Sequence, residues 1–145
     1  MKMMVPVDGS RHSLKAVEEA CDLMKTRGPS SLLLLAVNIF VGGELEEGRM
    51  VSEKIKAQAE GALSRAEAVA QERGVSPRTM LVTGLSAADE IVRVATDEKI
   101  DLIVIGSRGM AARTRFFLGG TASKVVTYAP CSVLVVKIPG LEPVQ

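Results

Sequence analysis

Four glycines and three arginines, with no acidic residue among them, lie in the segment GSRGMAARTRFFLGGT, which runs from Gly106 to Thr121. We call this segment the glycine loop. Glycine lets a ligand approach the backbone closely, and successive backbone amides can form a concave site for an anion. The arginines Arg108, Arg113 and Arg115 add positive charge that no neighbouring acid neutralises. This combination favours a phosphate-bearing ligand.

The alternative for such a segment is a plain turn with solvated arginines. Its position favours a binding site instead, because it follows the apolar run 102–105 and precedes a helical pattern near 121–129. Gly119 and Gly120 are expected just before that helix, whose free N–H groups would point at the ligand. The loop is neither a Walker loop, since it lacks Gly-Lys-Ser/Thr, nor the dinucleotide fingerprint, which follows a first strand.

Other reactive side chains are few. His12, the only histidine, is expected to be solvated at the start of a helix, with a pH-sensitive phosphate contact as the alternative. No nucleophile pairs with it, so no catalytic residue is assigned. Cys21 and Cys131 lack metal-ligand spacing, no metal ligand is assigned, and both are expected to be structural, with a redox-sensitive Cys131 as the alternative. Phe116 and Phe117 are expected to anchor the glycine loop.

Strand and helix patterns alternate along the chain. Strands are predicted at about 1–7, 31–40, 76–84, 101–106 and 131–138, and helices at about 12–28, 51–73, 86–100 and 121–129. Ser10 and Ser86 are predicted N-caps, and Gly28 and Gly74 helix ends. The acids Glu44, Glu46 and Glu47 are expected in a solvated loop. The alternation predicts a single α/β domain over residues 1–145, with a parallel sheet and helices on both faces. Ligands of such sheets bind at the carboxyl ends of the strands, where the glycine loop begins.

Composition excludes several classes of function. The chain has 145 residues, a net charge of +1, four Phe or Tyr and no Trp, so neither nucleic acid nor an anionic membrane surface is an expected partner. The longest apolar run, LLLLAV, is too short for a membrane span, and no signal peptide is predicted. Two cysteines without a disulfide framework indicate a cytoplasmic protein.

Three stretches of the chain resemble the universal stress protein family: VPVDGS after the first strand, the spacing Gly-x2-Gly-x9-Gly at Gly106, Gly109 and Gly119, and the closing APCSVLVVK. The resemblance implies a doubly wound, five-stranded sheet of order 3-2-1-4-5. It also implies a stress-response regulator that forms a homodimer through the last strand, at about residues 132–138, and acts on unknown protein partners.

The ATP-binding branch of that family implies an adenine nucleotide, ATP with Mg²⁺, as the ligand. The resemblance places Pro6, Val7 and Asp8 by the adenine and ribose, Val37 at the adenine edge, Gly106, Ser107, Arg108 and Gly109 around the ribose and first phosphates, and Gly119, Gly120 and Thr121 at the outer phosphates. One departure is Gly120, which stands where the family pattern has Ser or Thr. A lost neutral hydrogen bond costs about 0.5–1.5 kcal/mol, so ATP, ADP, AMP and cyclic nucleotides all stay open as ligands.

Two other functions are considered. An interaction module of the same fold would need no nucleotide. An enzyme similar to the ATP pyrophosphatases would need their Ser-Gly-Gly-x-Asp-Ser loop, which VDGSRHS does not match. Any ATP hydrolysis is expected to be slow, since no general base is placed to activate water.

Overall fold

The computed structural model describes residues 1–40, 46–108 and 118–138. Strands and helices alternate through these ranges as the sequence predicts. They are β1 (Lys2–Pro6), α1 (Arg11–Thr26), β2 (Ser31–Ile39), α2 (Glu46–Glu72), β3 (Arg78–Gly84), α3 (Ala87–Asp97), β4 (Leu102–Gly106), α4 (Gly120–Tyr128) and β5 (Ser132–Val136).

The five strands form one parallel sheet of order β3-β2-β1-β4-β5, which confirms the expected topology. β1 lies at the centre and pairs with β2 on one side and β4 on the other. The connections leave β1 in opposite directions, so a crevice forms between the carboxyl ends of β1 and β4.

Each face of the sheet is covered by its own apolar layer. Leu32 and Leu34 of β2 pack in the cluster that includes α1 and α2, whereas Leu33 and Leu35 pack in the cluster that includes α3 and α4. Both faces of β2 are therefore apolar, as its unbroken leucine run predicts. These layers bury both faces of the sheet.

The predicted helix ends are confirmed. The Ser10 Oγ accepts a hydrogen bond from the Ser13 N–H at 3.1 Å, and the Ser86 Oγ accepts one from the Asp89 N–H at 3.3 Å. Gly28 and Gly74 follow α1 and α2 with φ of +80° and +78°, the left-handed conformation that ends many helices.

The start of α2 differs from the prediction. The helix begins at Glu46 and not near Val51, so Glu46 and Glu47 belong to its first turn and not to a loop. The helix continues through Gly48, although a glycine inside a helix costs about 1 kcal/mol relative to alanine. Glu44 lies outside the described residues. In the described ranges, no helix is long and apolar enough to cross a membrane.

Candidate functional site

The described ends of β1, β4 and α4 meet at the carboxyl edge of the sheet. Pro6 ends β1, Gly106 ends β4, and Gly120 begins α4. The Ser107 N–H donates to the Val136 carbonyl oxygen at 2.8 Å, and the Gly119 N–H donates to the Ser107 carbonyl oxygen at 2.7 Å. The second bond ties the amino end of α4 to the end of β4, so both ends of the glycine loop meet.

The turn between β1 and α1 is built around Asp8. An Asp8 carboxylate oxygen accepts the Ser10 N–H at 2.9 Å, and the Asp8 N–H donates to the Ser13 hydroxyl at 3.4 Å. Gly9 between them has a φ of +87°, which a residue with a side chain rarely adopts. Asp8 thus shapes the turn and is exposed at the edge of the crevice. Val7 precedes it and donates its N–H to the Leu35 carbonyl oxygen at 2.8 Å.

Val37 lies further along β2, opposite Val82 of β3. Its side chain packs against the apolar cluster that includes α3 and α4. A contact from this residue to a ligand would therefore come from its backbone, as the family resemblance implies.

His12 is buried, contrary to the expectation of a solvated residue, with only 9% of its surface exposed. The reason is the close packing of α1 on β4. A Cβ on Gly106 would lie 2.8 Å from both the carbonyl carbon and the Cβ of His12. Gly106 is therefore required for helix packing, whether or not it also contacts a ligand.

The two residues after Gly106 are also buried. Ser107 is fully buried and Arg108 is 9% exposed, so Arg108 is not a solvated loop cation. Within the described ranges, the Ser107 hydroxyl and the His12 Nε2 have no hydrogen-bond partner. A buried polar atom left without a partner costs about 1–3 kcal/mol, and such atoms often mark ligand or water positions.

The amino end of α4 is open. Gly119 is the N-cap and supplies no capping side chain, and Gly120 is the first helical residue and does not precede the helix. Among the described residues, no atom beyond its chain neighbours and its own helix backbone lies within 4 Å of the position that a Cβ on Gly120 would occupy. Gly120 and Thr121 are exposed. This end of the helix has the form of an anion site, because its first N–H groups lack helical partners.

Several predicted residues lie outside the described ranges. They are Gly109, Arg113, Arg115, Phe116 and Phe117. Among the residues that are described, no three His, Cys, Asp or Glu side chains cluster to hold a metal ion.

The cysteines lie away from the crevice. Cys21 is buried in the core as expected, and Cys131 is half-buried before β5. Burial raises the pKa of both thiols, which favours the protonated, unreactive form at neutral pH.

Arg65 of α2 is a candidate site residue that the sequence patterns do not indicate. Its Nη2 atom lies 2.7 Å from the position that a Cβ on Gly9 would occupy, and its Nη1 lies 3.5 Å from that of Gly61. The signal available in the sequence is the spacing of Gly61 and Arg65, one helical turn apart. That spacing does not show that the turn after β1 lies next to them.

Related proteins identify the family of the chain. The family model "Universal stress protein family" matches residues 1–137. The chain belongs to this family. A universal stress protein of Methanocaldococcus jannaschii is 36% identical over 144 residues, which cover 97% of this chain and 84% of that protein. The solved universal stress protein UspA of Lactobacillus plantarum has a TM-score of 0.78 and 27% identity, covering 94% of this chain and 97% of its own.

Some structures of the family hold adenine nucleotides. A family member of Arabidopsis thaliana, solved with AMP bound, has a TM-score of 0.72 and 22% identity, covering 97% of this chain and 93% of its own. A universal stress protein of Archaeoglobus fulgidus in complex with dAMP has a TM-score of 0.73 and 22% identity, covering 94% of this chain and 98% of its own. Another, in complex with cAMP, has a TM-score of 0.72 and 23% identity, covering 94% of this chain and 96% of its own. At this identity the similarity shows a shared fold.

Proposed function

We propose that this universal stress protein binds an adenine nucleotide in the crevice between the carboxyl ends of β1 and β4. The observation that carries the proposal is the 2.7 Å hydrogen bond from Gly119 to Ser107. It places the open amino end of α4 beside the end of β4, next to the turn that holds Asp8. The buried Ser107 hydroxyl, without a partner in the described ranges, supports a polar ligand there.

Each segment has a role in this proposal. The exposed Asp8 carboxylate accepts from a ribose hydroxyl, since an ionised carboxylate accepts several hydrogen bonds. The Val37 backbone contacts the adenine edge, and the start of the glycine loop, Gly106 to Gly109, surrounds the ribose. The N–H groups of Gly120 and Thr121 bind outer phosphates. We propose ATP with Mg²⁺ as the ligand, the metal being held chiefly by the phosphates.

At the level of the cell, we propose a cytoplasmic regulator of a stress response that acts as a homodimer. The relatives that hold AMP, dAMP or cAMP support an adenine ligand. Binding rather than turnover is the proposed activity, and any ATP hydrolysis is expected to be slow.

The test is to purify the protein without added nucleotide, denature it, and chromatograph what it releases. About one adenine nucleotide per chain is expected, and its identity distinguishes ATP from ADP, AMP and cyclic forms. Protein that arrives empty is titrated with ATP and Mg²⁺ by calorimetry. Failure of every adenine nucleotide to bind would exclude the proposal, whereas a negative ATPase assay would not.

A second candidate, favoured by the missing hydroxyl at Gly120, is an interaction module that needs no nucleotide. In that case the dimer would form equally well with and without ATP. Sedimentation of the nucleotide-free protein, before and after ATP is added, distinguishes the two functions when combined with the calorimetry.

A further inference from the structure

The guanidinium of Arg65 lies directly against the turn that follows β1. Its Nη2 is 2.7 Å from the position of a Cβ on Gly9, and its Nη1 is 3.5 Å from that of Gly61. The side chain therefore runs back along α2, as long helical side chains do, across the bare backbone of Gly61. It ends beside Gly9, the residue that follows Asp8.

Arg65 differs from other arginines of the fold in its charge environment. Arg73 forms ion pairs with Glu18 and Asp22 at 2.7 and 3.0 Å, and Arg93 forms one with Glu90 at 2.8 Å. Over the ranges that the structure describes, Arg65 has no carboxylate within ion-pair distance. Its charge is thus not neutralised by a described acid.

The turn beside Arg65 carries charge of both signs, since it also contains the Asp8 carboxylate. It leads into the amino end of α1, where the helix dipole is positive. The first turn of α1 contains no acidic residue and begins with Arg11, whereas the first turn of α3 contains Asp89 and Glu90. Arg65 itself is exposed, so its guanidinium is open to an anion that binds at this end of α1.

We propose that Arg65 is a specificity-determining residue that binds a phosphate oxygen of the nucleotide, and so selects phosphorylated adenine ligands over adenosine. The inference rests on the proposed nucleotide function and extends it to α2. A planar guanidinium suits phosphate because its N–H groups form a fixed fork. The phosphate concerned is one that AMP and ATP share.

The test measures the affinities of AMP, ATP and adenosine by calorimetry for the wild type, Arg65→Gln, Arg65→Lys and Lys56→Gln. Lys56 is the matched control, since it is an exposed cation on the same helix. Arg65→Gln is expected to weaken AMP and ATP about 10- to 100-fold, the range for a hydrogen bond to a charged group. The affinity of Arg65→Gln for adenosine is expected to change less than twofold. The affinity of Arg65→Lys for AMP and ATP is expected to be intermediate, and Lys56→Gln is expected to bind all three ligands as the wild type does.

Three outcomes would overturn the inference. If the wild type binds AMP and ATP and Arg65→Gln binds them equally well, only the role of Arg65 is excluded. If Arg65→Gln loses adenosine in the same proportion, Arg65 holds the turn and not the phosphate. If the wild type binds none of the three, the proposed function fails and the inference with it. Circular dichroism melting of each variant establishes that all are folded.

Discussion

At the scale of single residues, two positions of the glycine loop are occupied by glycine for different physical reasons. A Cβ on Gly106 would lie 2.8 Å from two atoms of His12, one of them in the backbone. A Cβ on Gly120 would meet no other described part of the chain within 4 Å. Packing therefore requires the first glycine, whereas the second leaves the amino end of α4 open.

We expect Gly106→Ala to destabilise the fold by about 1–3 kcal/mol, because overpacking displaces α1 from β4. Gly120→Ala should cost nothing and could add up to about 1 kcal/mol, the helix preference for alanine. Urea denaturation of the two variants beside the wild type measures both. Equal stability of Gly106→Ala and the wild type would contradict the packing explanation.

Restoring the missing hydroxyl tests the phosphate end of the proposed site. We expect Gly120→Ser to bind ATP about threefold to tenfold more tightly than the wild type, the effect of one neutral hydrogen bond. Gly120→Ala is the control, because it adds the Cβ without the hydroxyl. Calorimetry with ATP and Mg²⁺ measures the difference, and equal affinities for the Ser and Ala variants would place the outer phosphates elsewhere.

At the scale of elements, α2 and α3 end in the same hydrogen-bonded motif. The Val75 N–H donates to the Ala70 carbonyl oxygen at 2.9 Å, and the Ile100 N–H donates to the Ala95 carbonyl oxygen at 3.0 Å. These are the 6→1 hydrogen bonds of a Schellman motif. The left-handed position is a glycine after α2 but Lys99, at φ +54°, after α3. Only the second carries a steric cost.

Lys99→Gly is therefore expected to stabilise the protein by about 1 kcal/mol, since glycine lacks the left-handed penalty. Gly74→Lys, the reciprocal change, should destabilise it by a similar amount. In the described ranges, a Cβ at Gly74 has no neighbour within 4 Å outside the adjacent residues, so the substitution tests mainly the backbone conformation. The melting temperatures of both variants measure these changes, and shifts of the same sign would contradict the expected opposite effects.

At the scale of the whole molecule, β5 is an edge strand of the sheet. Leu134 of β5 is 38% exposed, and Val126 and Tyr128 of the preceding helix are 46% and 69% exposed. An unpaired edge with exposed apolar side chains supports association. The homodimer through residues 132–138 remains a prediction, and this surface is where it would form.

We expect Leu134→Glu to weaken the dimer about 100-fold or more, because two-fold symmetry places the change twice in the interface and each buried leucine contributes about 1.5–3 kcal/mol. Leu85→Glu is the matched control, since Leu85 is 80% exposed and follows β3 at the opposite edge. Light scattering during gel filtration measures the mass. A wild-type monomer, or a dimer that Leu134→Glu leaves intact, would rule out this interface.

Much of the fold was predictable because its determinants are local. Two-sided apolar runs such as residues 32–36 indicate buried parallel strands, and Ser10, Ser86 and Gly74 set helix ends through bonds to near neighbours. The location of the candidate site follows from the topology. The predicted start of α2 near Val51 is wrong, because the helix begins at Glu46 and runs through Gly48, a residue that sequence patterns associate with loops.

The sequence by itself determined the order of strands and helices and the helix ends, because hydrophobic period and capping depend on residues a few positions apart. Only the tertiary structure determined that Gly106 packs against His12 and must be glycine, that His12 is buried, and that Arg65 lies beside Gly9. Each of these depends on a close contact between residues distant in the sequence, and such contacts leave no local pattern. They form only when the helices pack on the completed sheet.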